Sequence, residues 1–290
     1  MISKLKNFNL KNIKPKNVFI HLILIIICVL SLIPFLWLLS TALKGRMENI
    51  FSYPPVFLPK NPTLENFFEV LKLVPIVKYV INSFIVAAST VVLNVILSAL
   101  AAYPLARMEF KGKKIMFFLV LSTIMVPFQT IMLPIYIITL KLRLVDSYST
   151  LFGYLGLILP FAVNAFGIFL LRQAFLTIPK EIEESAVIDG CNSFQIFYKI
   201  LLPMIKPSVA LLAIFTFIGS WGEFLWPSIV LTNENLYTLP VGINNLSSAF
   251  SANYRLVAAG SIISILPIII FFLALQKYFI QGSTEGAVKG

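Results

Sequence analysis

The densest cluster of carboxylates in this sequence is Glu181, Glu183, Glu184 and Asp189. It lies in a long polar stretch of an otherwise apolar chain, PKEIEESAVIDGCNSFQIFYKILLP, from Pro179 to Pro203. No histidine accompanies these acids, so the chemistry on offer is the display of negative charge around a bare backbone turn. Pro179 suits a first helical position, where its missing N–H costs nothing. Ile178, Ile182 and Ala186 recur at helical spacing as one apolar stripe, with Lys180, Glu181, Glu183 and Glu184 pointing elsewhere. Gly190 can close that helix in the left-handed conformation. Asn192 followed by Gln195 predicts a capping box and a second helix, whose stripe is Phe194, Phe197, Ile200 and Leu201. Pro203 and Pro207 end the pattern. Two uses fit such an element: an interfacial helix–turn–helix joining two membrane spans, or a docking surface for a cytoplasmic partner.

Covalent chemistry finds little to work with elsewhere. A phosphate-cradling G-x-x-x-x-G-K-[ST] loop is absent; Gly112-Lys113-Lys114 and the terminal Gly286 to Gly290 lack its spacing. His21 is the sole histidine, which excludes a paired-histidine metal site and leaves any serine triad dependent on it. No catalytic residue and no metal ligand is therefore expected, and His21 reads as an interfacial or packing residue. One acid stands at membrane depth, Glu223, in Trp221-Gly222-Glu223-Phe224-Leu225-Trp226-Pro227. It reads either as an outer-interface anchor between tryptophans of the aromatic belt or as a polar group lining a transport path. Pairing with a partner subunit is a further use for it. Asn82, Asn94 and Asn164 are weaker path candidates, since an intramembrane Asn more often serves as interhelical glue than as a ligand contact.

The elements that must position these residues are membrane spans. Of 290 residues, 59% are hydrophobic and 12% charged, against about 45–50% and about 25% in soluble domains. The excess is gathered into long runs, so an all-α integral membrane domain is expected. Six spans are predicted, near 18–42, 79–103, 115–140, 148–171, 209–231 and 257–279. A basic segment, 1–17, with Lys4, Lys6, Lys11, Lys14 and Lys16, precedes a six-span membrane domain over 18–280, and 281–290 form a tail. The first apolar run exceeds the h-region of a signal peptide and ends in no small-x-small site, so it is expected to be retained. Thr63 is expected to cap a short amphipathic helix after a proline-rich segment. Pro127 and Pro134 should bend the third span. The net charge of +11 collects beside apolar runs, a topology and lipid-contact pattern rather than one for nucleic acid. Arg107 to Lys114 and the loop 172–206 fall on the basic, cytoplasmic side, as do both termini. Cys28 and Cys191 are expected as free thiols.

Glu184-Ser185-Ala186, three residues, Gly190, nine residues, then Ile200-Leu201-Leu202-Pro203 resembles the EAA loop of ABC importer permeases, written E-A-A-x3-G-x9-I-x-L-P. Ser185 is the one departure, small for small. AYPLARMEFKGKK, EFLWP and the ending EGAVKG are similar to the carbohydrate-importer branch, of the maltose-permease G-like type; Gly222 replaces the Asn of its W-N-E-F-L-W-P.

The resemblance implies a cytoplasmic coupling helix between spans four and five, with Glu184, Ser185, Ala186, Asp189, Gly190, Ile200, Leu202 and Pro203 engaging an ATPase. It implies a non-enzymatic permease subunit of a binding-protein-dependent sugar importer in a prokaryotic cell membrane. Its partners would be a second homologous permease, an ATPase dimer carrying ATP and Mg, an extracytoplasmic solute-binding protein, the sugar and membrane lipid. Asn164, Trp221, Glu223 and Trp226 are the candidates for the path. The chain itself would hold no cofactor. A glycerol-3-phosphate permease and, more remotely, an ion-coupled secondary transporter are the alternatives. A secondary transporter would need an intramembrane carboxylate relay, for which only Glu223 qualifies. The topology has a direct check: a membrane-impermeant thiol reagent is expected to reach Cys191 in inside-out vesicles only, and labelling in right-side-out vesicles would overturn the six-span arrangement.

Overall fold

The computed structural model describes residues 15–249 and 253–285, which are helical with no strand among them. The basic residues up to Lys14 and the terminal Gly286 to Gly290 lie outside the described residues. The chain packs as two units. Among the described residues, one holds those up to Val70 with Asn253–Ile262, and the other holds the rest from Leu71.

In the first unit, α1 (Pro15–Leu43) is apolar all round, and its side chains from Phe19 to Leu36 are exposed. Such a helix, uncovered by its own chain, needs lipid or another subunit around it. Its last carbonyls do not go bare: the Asn66 amide donates to Ala42 O at 2.8 Å and Lys44 O at 2.9 Å. Buried Lys44 donates from Nζ to Val56 O at 2.6 Å and sits 4.9 Å from the Trp37 ring centroid, a cation–π contact. Thr63 Oγ1 accepts from Glu65 N at 3.1 Å and opens α2 (Glu65–Leu73), the cap its sequence predicts. The Glu48 carboxylate accepts from the backbone of Asn61 and Lys60, which draws its pKa below the ordinary value, the Asn61 bond contributing most.

The second unit is built on α3 (Ile76–Arg107), which packs against the helices Ala165–Leu176 and Lys206–Gly222. Its inward face is small or polar, including Ser83, Ala87, Thr90, Asn94, Ser98 and Ala102. Small residues let helix backbones approach closely. A Cβ on Gly167 of the neighbouring helix would stand 2.6 Å from Ser98 Oγ. Asn94 Nδ2 donates to Phe161 O at 3.2 Å, and Asn82 donates to Asn235 O and Tyr237 O while accepting from the Tyr154 hydroxyl. Both asparagines thus act as interhelical links.

Several of the remaining helices come in bent pairs. Helix α4 (Lys113–Ser122) and α5 (Phe128–Lys141) meet at about 100°, the break falling at Pro127. Helix α6 (Thr150–Ile158) and α7 (Ala165–Leu176) meet at 55°, with Asn164 Oδ1 accepting from Gly167 N at 2.7 Å to restart the helix. Then come α8 (Glu181–Ile188), α9 (Ser193–Gln195), α10 (Leu202–Met204) and α11 (Lys206–Gly222), with a 77° bend before α11. The chain ends in α12 (Leu225–Val230), α13 (Leu239–Ala249) and α14 (Tyr254–Glu285). Three helices, Phe19–Leu43, Ile76–Arg107 and Tyr254–Ala274, are individually long and apolar enough to cross a bilayer; counting each bent pair as one gives up to six.

The expected fifth helix, 209–231, stops at Gly222. Pro227 has no N–H for Glu223 O, and the Glu223 carboxylate accepts from Trp226 N at 3.0 Å to start α12 afresh. Around Trp226, Val86, Val145, Leu157, Leu231 and Leu236 form a core. Asp146 ties its loop to the chain after α12, accepting from Thr232 N, Thr232 Oγ1 and Asn233 N at 2.6–2.9 Å.

Gly156 is the tightest point. Its carbonyl accepts from Trp226 Nε1 at 3.0 Å, and a Cβ there would fall 2.1 Å from Leu144 O. The atoms it would strike first are the Leu144 backbone, which cannot swing aside, so Gly156→Ala should destabilise by about 1–3 kcal/mol. It should appear as a lowered unfolding temperature of the detergent-purified protein; an unchanged temperature would contradict this packing.

Candidate functional site

The polar stretch folds as two short helices on an apolar base. Ile178 and Ala186 from its first part, and Ile196, Phe197, Leu201 and Ile205 from its second, are buried with Tyr103, Leu105, Ala106, Leu171 and Phe175. Tyr103 meets Phe197 at 5.1 Å and Phe175 at 5.9 Å between ring centroids. Helix α8 ends as its sequence predicts. Gly190 adopts φ +83°, Cys191 N donates to Ala186 O at 2.9 Å, and Gly190 N donates to Val187 O at 3.0 Å. This is a Schellman closure, and it satisfies carbonyls that would otherwise face outward unpaired. Asn192 and Gln195 form the full capping box. Past it, Ile196–Leu201 widens into π-helical turns. Pro203 lacks the N–H that Lys199 O would accept in an α-helix.

What this base holds outward is a mixed surface. Glu181, Glu184, Ser185, Asp189 and Gly190 are exposed, and no atom lies within 4 Å of a Cβ built on Gly190. Beside them Val187 is 61% exposed, Ile188 85% and Phe194 65%. Phe194 was expected in the inward stripe, but it stands outside while Phe197 and Leu201 carry the burial. Ile200, Leu202 and Pro203 are half-buried, as is the free thiol of Cys191.

Two residues that sequence reasoning passed over hold the loop in place. Arg107, the last residue of α3 with its side chain only 5% exposed, donates from Nη2 to Ile178 O at 2.5 Å. Its Nε lies 2.8 Å from Glu183 Oε1. The N–H of Nε does not aim at that oxygen, so the contact is ionic rather than a hydrogen bond. Glu183 was expected to point away with its neighbours, but it turns inward to the guanidinium. Arg172 Nε donates to Leu105 O at 3.1 Å and stacks its guanidinium 3.9 Å from the Phe117 ring centroid.

The second feature is a cavity of about 310 Å³ beside α11. Thr90, Asn164, Thr216 and Glu223 supply polar atoms between the rings of Phe161 and Phe215. The hydroxyls of Thr90 and Thr216 are buried without a hydrogen-bond partner, an unsatisfied state that costs stability wherever no ligand or water meets it. Of the path candidates, Asn164 and Glu223 line this cavity. Trp221 and Trp226 are buried in the surrounding packing, their indole N–H groups bound to Ser264 O at 3.1 Å and Gly156 O at 3.0 Å. Among the described residues no group of three or more His, Cys, Asp or Glu converges as a metal site.

Known proteins share this sequence and fold. The family described as binding-protein-dependent transport system inner membrane component matches residues 94–284. The permease protein AraQ of the arabinooligosaccharides transport system of Bacillus subtilis is 43% identical over 213 residues, 73% of this chain and 74% of the relative. The melibiose/raffinose/stachyose import permease protein MelC of the same organism is 34% identical, over 93% of this chain and 96% of the relative. A solved chain of a bacterial ABC transporter involved in the import of the acidic polysaccharide alginate superposes with a TM-score of 0.77. It is 25% identical, covering 90% of this chain and 95% of that one. The chain belongs to the binding-protein-dependent inner membrane component family, non-enzymatic permeases of ABC importers.

Proposed function

With that membership as premise, we propose that this chain forms half of the translocation path of an ATP-driven importer for a neutral sugar, and that the loop 172–206 is its cytoplasmic coupling element. The membrane-spanning part is read as six spans with both termini inside. A second permease would complete the path, two ATPase subunits carrying ATP and Mg would dock on the loops, and an external binding protein would deliver the sugar. The relatives named for arabinooligosaccharides and for melibiose, raffinose and stachyose support the substrate class. So does the cavity, where hydroxyls, one carboxylate and aromatic faces gather without a lysine or arginine, the groups a phosphorylated substrate would call for. In this reading Asn164 and Glu223 border the path, while Trp221 and Trp226 keep its wall rigid.

The observation that carries the proposal is the exposed rim of α8, with Glu184, Val187, Ile188 and Asp189 around the unobstructed turn at Gly190. Ser185 and Gly190 let a partner surface approach the backbone, the carboxylates meet basic groups on it, and Ile188 supplies an apolar anchor. Ala186, Ile200, Leu202 and Pro203 face the base and transmit the load. ATP binding would then move two docked loops and favour one access state. Near-complete switching needs about 5.5 kcal/mol of differential binding.

Gly190→Val places a β-branched residue at positive φ, at about 1–2 kcal/mol, and inserts a side chain into the docked contact, at about another 1–3 kcal/mol. Glu184→Ala should weaken docking by about 2–5 kcal/mol if the charge is buried on docking, and by about 0–1 kcal/mol at a wet rim. Both variants should reach the membrane at normal levels, retain less ATPase on purification and lose radiolabelled sugar uptake, Gly190→Val the more severely. Full ATPase retention and wild-type uptake in Gly190→Val would reduce the loop to a linker.

A further inference from the structure

We infer that the Arg107–Glu183 pair is the positioning link that makes α3 follow the loop, so that α3 acts as the rod carrying coupling motion to the cavity; this rests on the coupling reading above. Arg107 grips both ends of the entry into α8. One is the carbonyl of Ile178 before it, and the other is the carboxylate of Glu183 in its first turn. The same helix, seventeen positions earlier, presents Thr90 to the cavity. At 1.5 Å per residue that is a lever of about 25 Å in one continuous helix, with Pro104 removing one hydrogen bond near its end.

The apolar base alone would not fix this linkage. Tyr103, Phe175 and Phe197 meet through ring faces and edges, and non-directional burial holds two elements together without fixing their register. The guanidinium's hydrogen bond to Ile178 O fixes a direction, and the Glu183 carboxylate 2.8 Å from its Nε holds the distance. Arg172 and Lys113 add to the same joint by taking Leu105 O and Ala106 O, the open carbonyls at the end of α3. Neither Arg107 nor Glu183 is on the exposed rim offered to the ATPase, so removing the pair should leave docking in place and loosen only the transfer of motion.

The test uses the assembled transporter in vesicles, with its second permease, ATPase and binding protein, and follows ATP hydrolysed and sugar taken up together. Glu183→Gln and Arg107→Lys should keep membrane level and ATPase retention near wild type. Uptake per ATP hydrolysed should fall about tenfold, within the range that residues along a coupling network reach. The charge exchange Arg107→Glu with Glu183→Arg should recover uptake above that of Arg107→Glu alone. A purely structural role predicts the opposite pattern: hydrolysis and uptake falling in step with protein level, with their ratio constant. That pattern, or an unchanged ratio in a well-assembled Glu183→Gln complex, would overturn the inference while leaving the docking reading intact. Failure of the wild-type chain to retain any ATPase would overturn the docking reading and this inference with it.

Discussion

A helix that ends inside a protein must find donors for its last four carbonyls, and α3 ends against the polar loop. Its final turn is closed by Met108 N on Pro104 O, by Arg172 on Leu105 O and by Lys113 on Ala106 O, while Arg107 itself reaches across to the loop. Each of the three side-chain donors comes from, or points to, a different neighbouring segment. Satisfying one helix end therefore gathers α4, α7 and α8 around it. The register of α8 against α3 depends on that gathering, because α8 has only eight residues and is too short to be stable alone.

The energy that holds α8 down and the geometry that aims it come from different sources. Burial of Ile178, Phe197 and Leu201 contributes about 1.5–3 kcal/mol each, whereas the attraction within the largely buried Arg107–Glu183 pair is offset by the cost of desolvating both charges. Arg107 and Glu183 are thus a small part of stability and a large part of the register between α3 and α8. The same division recurs on the opposite side of the unit. There Trp226 is buried in apolar contacts, yet its direction is set by single polar bonds, from its indole N–H to Gly156 O and from its backbone N–H to Glu223.

Local chemistry was legible in the sequence where one residue type has few uses. Gly190 reads as a left-handed closure, Asn192 with Gln195 as a capping box and Thr63 as a helix start, and the structure has all three. The alternation of apolar and polar residues placed Ile178, Ala186, Phe197 and Leu201 inward. What it did not disclose are contacts between residues far apart in the chain. The ion pair joins positions 107 and 183, and the close approach at Gly156 depends on Leu144 and Trp226. Phe194 was misread because the π-helical turns that follow change the helical period on which its stripe was drawn. The stop at Gly222 was hidden because Pro227 and Glu223 were read as membrane-depth residues rather than as a helix break with its own cap.

The central claim is that the rim of α8 is a docking surface for the ATPase. Ile188 is its most exposed apolar side chain. A photo-crosslinking residue at position 188, activated in membranes containing the whole transporter, tests the claim most directly. An adduct of this chain with the ATPase subunit, lost when Gly190→Val is added, is the predicted result. Adducts with lipid alone, or with the external binding protein, would contradict it.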